Sequence, residues 1–155
     1  VHMTSYAPLL AKERHTQWNP DLIYFNNREV KPTTGYYVQK LYGQNAGNEY
    51  LPSKIVLDNK DDKVRKRFAS SIVRDSVSGD VIVKLVNLLP VEVNTNVDLS
   101  GIGAVQPSAK RTVLTGKPTD TPLPVEDRIQ IAEKFDCNLP AYSFTVIRIK
   151  KANEK

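Results

Sequence analysis

Residue types that could carry chemistry are few in this sequence and poorly spaced for it. The two histidines, His2 and His15, stand at no metal-ligand spacing to each other, to the single cysteine Cys137, or to an acidic cluster. A hydrolytic serine would want a Gly-x-Ser-x-Gly elbow, and the sequence has none. Gly101-Ile102-Gly103 lacks the third glycine and the following helix of a phosphate-binding turn. Paired carboxylates at Asp61-Asp62 and Glu126-Asp127 have the chemistry to act as acid and base on a glycosidic bond. They sit in polar, loop-like sequence, however, with no apolar pocket to raise one pKa to that of a general acid. Taken alone, the residues predict no catalytic centre, no metal site and no cofactor.

Charge and composition narrow the classes further. The chain has 155 residues and a formal net charge of +5. A domain of this size buries roughly 70% of its unfolded surface, so it can build a core without disulfide staples. The basic residues gather in Lys60–Arg67, where two aspartates interrupt them, and in the tail from Lys150. Neither cluster interleaves cations with stacking aromatics as a single-strand groove would, so both read as solvated surface and no nucleic-acid partner is expected. No stretch approaches the ~20 apolar residues of a membrane-spanning helix, and the start of the chain lacks the charged-then-apolar pattern of a leader. No membrane partner is expected.

The elements that would hold any site follow from periodicity. Val1–Leu10 is mainly apolar and predicts a short buried strand running into a turn, with Pro8 holding Ala7 extended. Residues 12–17 are polar loop. Trp18-Asn19-Pro20-Asp21 is a turn signature before the apolar run Leu22–Phe25. Thr33 or Thr34 can cap a helix that carries Tyr37, Val38, Leu41 and Tyr42 on one face, with Gly43 as its left-handed C-cap. Asn45–Asn48 and Pro52 mark a break in composition. Beyond it come expected strands at 54–57, 68–74, 80–87, 91–97, 109–115 and 142–150.

Asp80–Asn87 is the most strand-like of these. Val81, Val83 and Leu85 point to one face, and Ile82 and Val86 flank Lys84 on the other, which predicts a central strand. Lys84 predicts either partial solvent access or a covering interface on that second face. Pro118–Pro124 reads as a loop crossing between sheets. Residues 126–138 fit a broken strand and a poor helix equally. In the last strand the apolar face switches between Val146 and Ile147, which predicts a bulge or burial on both sides. Short strands punctuated by turns argue for a mainly β fold, an antiparallel sandwich.

Three stretches then carry a resemblance: Ser5-Tyr6-Ala7-Pro8-Leu9, Trp18 to Asn26, and Tyr36-Tyr37-Val38-Gln39-Lys40-Leu41-Tyr42. With Val81–Asn87, Leu139-Pro140-Ala141-Tyr142-Ser143 and the closing strand, the chain resembles the C-terminal region of family 51 glycoside hydrolases, the α-L-arabinofuranosidases. That resemblance implies a jelly-roll-like sandwich beside a catalytic (β/α)8 barrel. Residues 1–47 would be the barrel's last strand and helix, and 48–155 the sandwich. It implies hydrolysis of terminal α-L-arabinofuranosyl groups with retention, which needs two carboxyl groups ~5–5.5 Å apart. The family's two glutamates would precede Val1, leaving this chain alone without activity. The Asn-Glu pairs Asn48-Glu49 and Asn153-Glu154 do not end barrel strands, so neither takes over the family's acid/base role.

The same resemblance places Tyr6 and Trp18 near the sugar pocket of the full-length enzyme, because active sites of such barrels lie at the C-terminal ends of their strands. The implied partners are the catalytic barrel of the same polypeptide, an arabinose-containing polysaccharide or oligosaccharide reached through it, and a second copy in an oligomer. One alternative is a stand-alone carbohydrate-binding module presenting Tyr42, Tyr50 or Tyr142. A basic nucleic-acid binder is the other, and it would show steeply salt-dependent affinity.

Overall fold

The fold was analysed in a computed structural model that describes residues 5–117 and 120–152. An N-terminal segment holds three short strands, β1 (Leu10–Lys12), β2 (Ile23–Phe25) and β3 (Val30–Pro32), then the helix α1 (Thr34–Gln44). After it come β4 (Glu49–Leu51), a one-turn helix α2 (Asp62–Arg65), β5 (Phe68–Arg74) and β6 (Val81–Asn87). The chain continues through β7 (Val93–Asp98), β8 (Val105–Thr115), β9 (Val125–Gln130), β10 (Lys134–Leu139) and β11 (Ser143–Lys151). The large sheet runs β4-β5-β6-β11-β8-β9, and its paired strands are antiparallel throughout. A two-stranded antiparallel sheet, β10-β7, faces it.

The core explains the layering. On one face of the large sheet, Val81, Val83, Ala109, Ile147 and Ile149 pack against Val97, Leu99, Phe135, Cys137 and Leu139. This is the sandwich interior, and β10 meets it in strict alternation, with Phe135, Cys137 and Leu139 buried and the residues between them exposed. On the other face, Ile82, Leu114, Phe144 and Val146 pack against Leu41 of α1, with Tyr37 and Val38 alongside. The strand β6 lies between β5 and β11 and is buried on both faces, as its sequence predicts.

Burial on both sides also accounts for the apolar switch at Val146 and Ile147. The break in pairing between β8 and β11 lies further along, between Ile149 and Lys151. Asn87 ends β6 as a buried polar pin. Its Nδ2 donates to the carbonyls of Val91 (2.9 Å), Leu139 (3.2 Å) and Pro140 (2.9 Å), and its Oδ1 accepts from Leu89 N–H (3.0 Å). Both β6–β7 and β10–β11 connections are thereby tied to one amide.

Several expectations need correction. Residues 1–4 lie outside the described residues, Ser5–Leu9 form no strand, and the first strand begins at Leu10. The helix passes through Gly43 and ends at Gln44; Asn45 closes it by donating Nδ2 to Leu41 O at 2.9 Å, so no left-handed glycine is needed. Thr33 is the N-cap residue, as expected, and its carbonyl accepts from Tyr37 N–H (3.3 Å), but its hydroxyl donates to Leu22 O at 2.8 Å and so makes no side-chain cap. The free helix end is met instead by the 116–120 loop: Thr34 N–H donates to Asp120 O (3.2 Å) and the Thr34 hydroxyl to Lys117 O (2.7 Å).

Residues 54–57 are irregular, with Val56 mostly exposed, and the strand pairing with β5 is Glu49–Leu51 instead. The 116–124 loop does not cross between sheets. It joins β8 to β9, which pair in the same one; Pro118 itself lies outside the described residues. Residues 126–130 and 134–138 lie in two strands that belong to different sheets, β9 and β10, with 131–133 connecting them, and this explains why neither a single strand nor a helix fitted the stretch.

Candidate functional site

The chemistry-bearing residues of the N-terminal segment collect in a recess of about 670 Å³ lined in part by Glu13, Trp18, Asn19, Tyr24, Asn26 and Lys31. Trp18 is two-thirds exposed. Its loop is fixed by Thr16, whose Oγ1 accepts from Trp18 N–H (3.1 Å) and donates to Trp18 O (3.2 Å). Tyr24, carried on β2, donates its hydroxyl to Asn19 Oδ1 (3.0 Å) and accepts from Asp21 N–H (2.9 Å). The Asn-Pro-Asp turn is thus held against the small sheet, and the indole is left facing outward.

The polar wall is a network across the sheet. Lys31 Nζ meets Glu13 Oε1 (2.8 Å) and Glu29 Oε1 (2.9 Å). Asn26 donates to Glu13 Oε2 (2.7 Å), and its Oδ1 accepts the N–H groups of Arg28 and Glu29. Hydrogen bonds from Lys31 hold both Glu13 and Glu29 below the usual glutamate range, and the bond to Glu13 raises Lys31. Neither carboxyl is therefore poised as a general acid near neutral pH. An exposed indole beside fixed hydrogen-bonding groups can stack an apolar sugar face and bind hydroxyls, which is recognition rather than bond cleavage.

Tyr6 is not among the residues lining this recess. Its hydroxyl lies by Gly35 at the start of α1, 3.9 Å from where a Cβ would stand. Glu13, Asn26 and Lys31 were not singled out by sequence, because eighteen positions separate the partners Glu13 and Lys31 and only the β1-β2-β3 register brings them together.

The other candidates have structural work. Asp61 Oδ1 accepts from Lys63 N–H (2.8 Å) as the cap of α2. Glu126 and Asp127 are consecutive on β9, so they project to opposite faces, each paired across to β8: Glu126 with Lys110 (2.8 Å) and Asp127 with Arg111. Those partners hold both carboxyls below their ordinary range. Asn48 bonds Ser76 and Glu49 pairs with Arg74, whereas Asn153-Glu154 and His2 lie outside the described residues. Cys137 is buried in the sandwich, and His15 is exposed. Among the described residues no His, Cys, Asp or Glu group could hold a metal ion. No described helix is long and apolar enough to cross a membrane.

A family model described as the α-L-arabinofuranosidase C-terminal domain matches residues 1–145. The chain belongs to that family. An arabinose-bound family 51 α-L-arabinofuranosidase, MgGH51, superposes with a TM-score of 0.82 at 31% identity, over 96% of this chain and 24% of that one. Alpha-L-arabinofuranosidase 1 of Arabidopsis thaliana is 27% identical across the whole chain, which covers 24% of its length. An extracellular exo-alpha-L-arabinofuranosidase of Streptomyces chartreusis is 52% identical over 54 residues, 35% of this chain and 6% of that protein. This arabinofuranosidase domain therefore spans about a quarter of the plant and MgGH51 enzymes. The Thermotoga maritima α-L-arabinofuranosidase shares the fold at 11% identity, with a TM-score of 0.69 over 84% of this chain and 31% of that one.

Proposed function

We propose that the chain serves as the non-catalytic C-terminal part of a retaining α-L-arabinofuranosidase acting on terminal α-L-arabinofuranosyl groups of arabinose-containing saccharides. Residues 1–47 complete the catalytic barrel, and 48–155 form a sandwich that braces its flank and supports contacts between copies. The reading rests on one packing relationship: α1 lays Leu41 onto the outer face of the large sheet, so barrel-like segment and sandwich share a hydrophobic core. In this reading Trp18 borders the sugar pocket, Tyr6 stands close to it, and the two catalytic glutamates belong to the preceding part of the polypeptide.

The experiment compares the natural full-length protein with the 155-residue chain on an aryl α-L-arabinofuranoside. Turnover is expected from the full-length protein alone. Turnover by the short chain, or none by the long one, would sink the reading.

A further inference from the structure

The two sheets of the sandwich are unequal, with six strands lying opposite only two, β10 and β7. Register sets Phe68, Ile72, Leu85, Val83 and Ile147 on the inner face of the large sheet. Val83 and Ile147 are buried, whereas Phe68, Ile72 and Leu85 are only half-buried. These three belong to an apolar strip along β5 and β6 that floors a groove of about 700 Å³. One wall of the groove is β7, and the other is the irregular stretch 53–59, which leaves β4, the edge strand beyond β5. The polar residues Lys54, Asp58, Asn94 and Asn96 also line it, and all four are exposed.

The β7 wall is an unpaired strand edge. Leu99 N–H donates to Glu133 O (2.7 Å), one step beyond the Asp98–Lys134 pair. Bonding and non-bonding positions alternate along an antiparallel pair. Val93, Thr95 and Val97 therefore bond to β10, and Asn94 and Asn96 turn their N–H and C=O groups toward the groove. Among the described residues those groups meet no backbone partner. Nor does the edge carry a lysine, a proline or a bulge, the usual defences of an edge that faces solvent.

The dimensions select the occupant. An added strand would lie ~4.8 Å from β7, and its alternate side chains would point onto the half-buried floor. With a wall on either side, the groove admits one extended segment but not the edge of a second intact sheet. The 53–59 stretch makes no backbone bond to β7 and leaves Val56 75% exposed. The chain spans 24% of the matching solved arabinofuranosidase, so most of such a polypeptide lies outside it.

We propose that an extended segment from the rest of the parent polypeptide, apolar at alternate positions, adds to β7 as the third strand of the small sheet. Main-chain bonds to Asn94 and Asn96 hold it, and its inward side chains complete the core over Phe68, Ile72 and Leu85. Tethering within one polypeptide supplies the local concentration that so short a pairing needs. The inference rests on the reading of the chain as the C-terminal part of a larger enzyme.

The test uses the full-length enzyme, with amide hydrogen exchange at Asn94 and Asn96 and photo-crosslinking from a benzophenone amino acid placed at Asn94. Both amides are expected to exchange at least about 100-fold more slowly than unbonded ones, at every protein concentration. The crosslink is expected on a peptide of the same molecule outside residues 1–155. Unprotected amides overturn the proposal. Protection lost on dilution, or a crosslink between molecules, also overturns it by making the occupant a second copy. A crosslink to 53–59, or none at all, does the same, because the added strand would border position 94. Wild-type turnover of an aryl α-L-arabinofuranoside is measured separately, and its absence would count against the functional reading alone.

Discussion

The ammonium of Lys84, on the buried central strand β6, stands 5.8 Å from the centroid of the Tyr42 ring on α1. Tyr42 in turn stacks on Phe144 of β11, with ring centroids 4.7 Å apart and planes 14° from parallel. The residue that interrupts an apolar face in the sequence is therefore covered by an aromatic from the preceding helix. The cation–π contact offsets only part of the cost of removing an ammonium from water. Burial lowers the Lys84 pKa.

Lys84→Met keeps the stem's volume and removes the buried charge. It should leave stability at neutral pH unchanged or raise it by up to about 1 kcal/mol, as measured by urea unfolding. A group whose folded pKa is depressed below its unfolded lysine value disfavours the charged native state. Wild-type stability should therefore gain from this residue as pH rises from the lowered pKa toward the ordinary lysine range, and the variant should lack that gain.

Leu41 is buried and is the α1 residue in the shared core. Leu41→Ala should cost about 3 kcal/mol. The same change should loosen amide-exchange protection in both α1 and β6, and protection lost in α1 alone would count against a shared core.

Asn87→Ala removes the donor from three loop carbonyls and the acceptor from Leu89 N–H in a fully buried position. Stranded buried groups cost about 1–3 kcal/mol each, so a loss of about 3 kcal/mol is expected in chemical denaturation. Asn87→Asp, isosteric but without the amide donor, should be at least as damaging.

Asp98 is exposed yet held far below the usual aspartate range by the Ser100 hydroxyl first, then Ser100 N–H and Lys134. A depressed carboxylate contributes stability that is complete above its unfolded pKa and fades as pH falls. Wild-type stability should therefore decline from about pH 4 downward, and Asp98→Asn should flatten that part of the profile. Acid titration followed by circular dichroism reads it, and superimposable profiles would exclude this contribution.

Trp18→Ala in the full-length enzyme should raise KM for an aryl α-L-arabinofuranoside about tenfold with kcat little changed, the mark of lost uniform binding. An unaltered KM would remove Trp18 from the sugar site.

Sequence alone determined the elements with regular periodicity and the absence of a recognisable nucleophile or phosphate loop. Asp80–Asn87 is legible as central because apolar residues at both parities demand cover on both faces, and the motifs from Tyr6 to Tyr42 carry the family. Where the pattern was short or broken, tertiary structure decided. Glu49–Leu51 is a strand because β5 offers it an edge, and Ile55-Val56 is not, although its residues favour β structure. The helix ends on Asn45 and begins under the 116–120 loop, contacts made by side chain and backbone that no local rule assigns. The Glu13–Lys31–Glu29 network beside Trp18 and the isolated burial of Asp21 were likewise invisible. Both arise when pairing among three short strands brings distant residues together or shuts water out, and propensity carries no information about either.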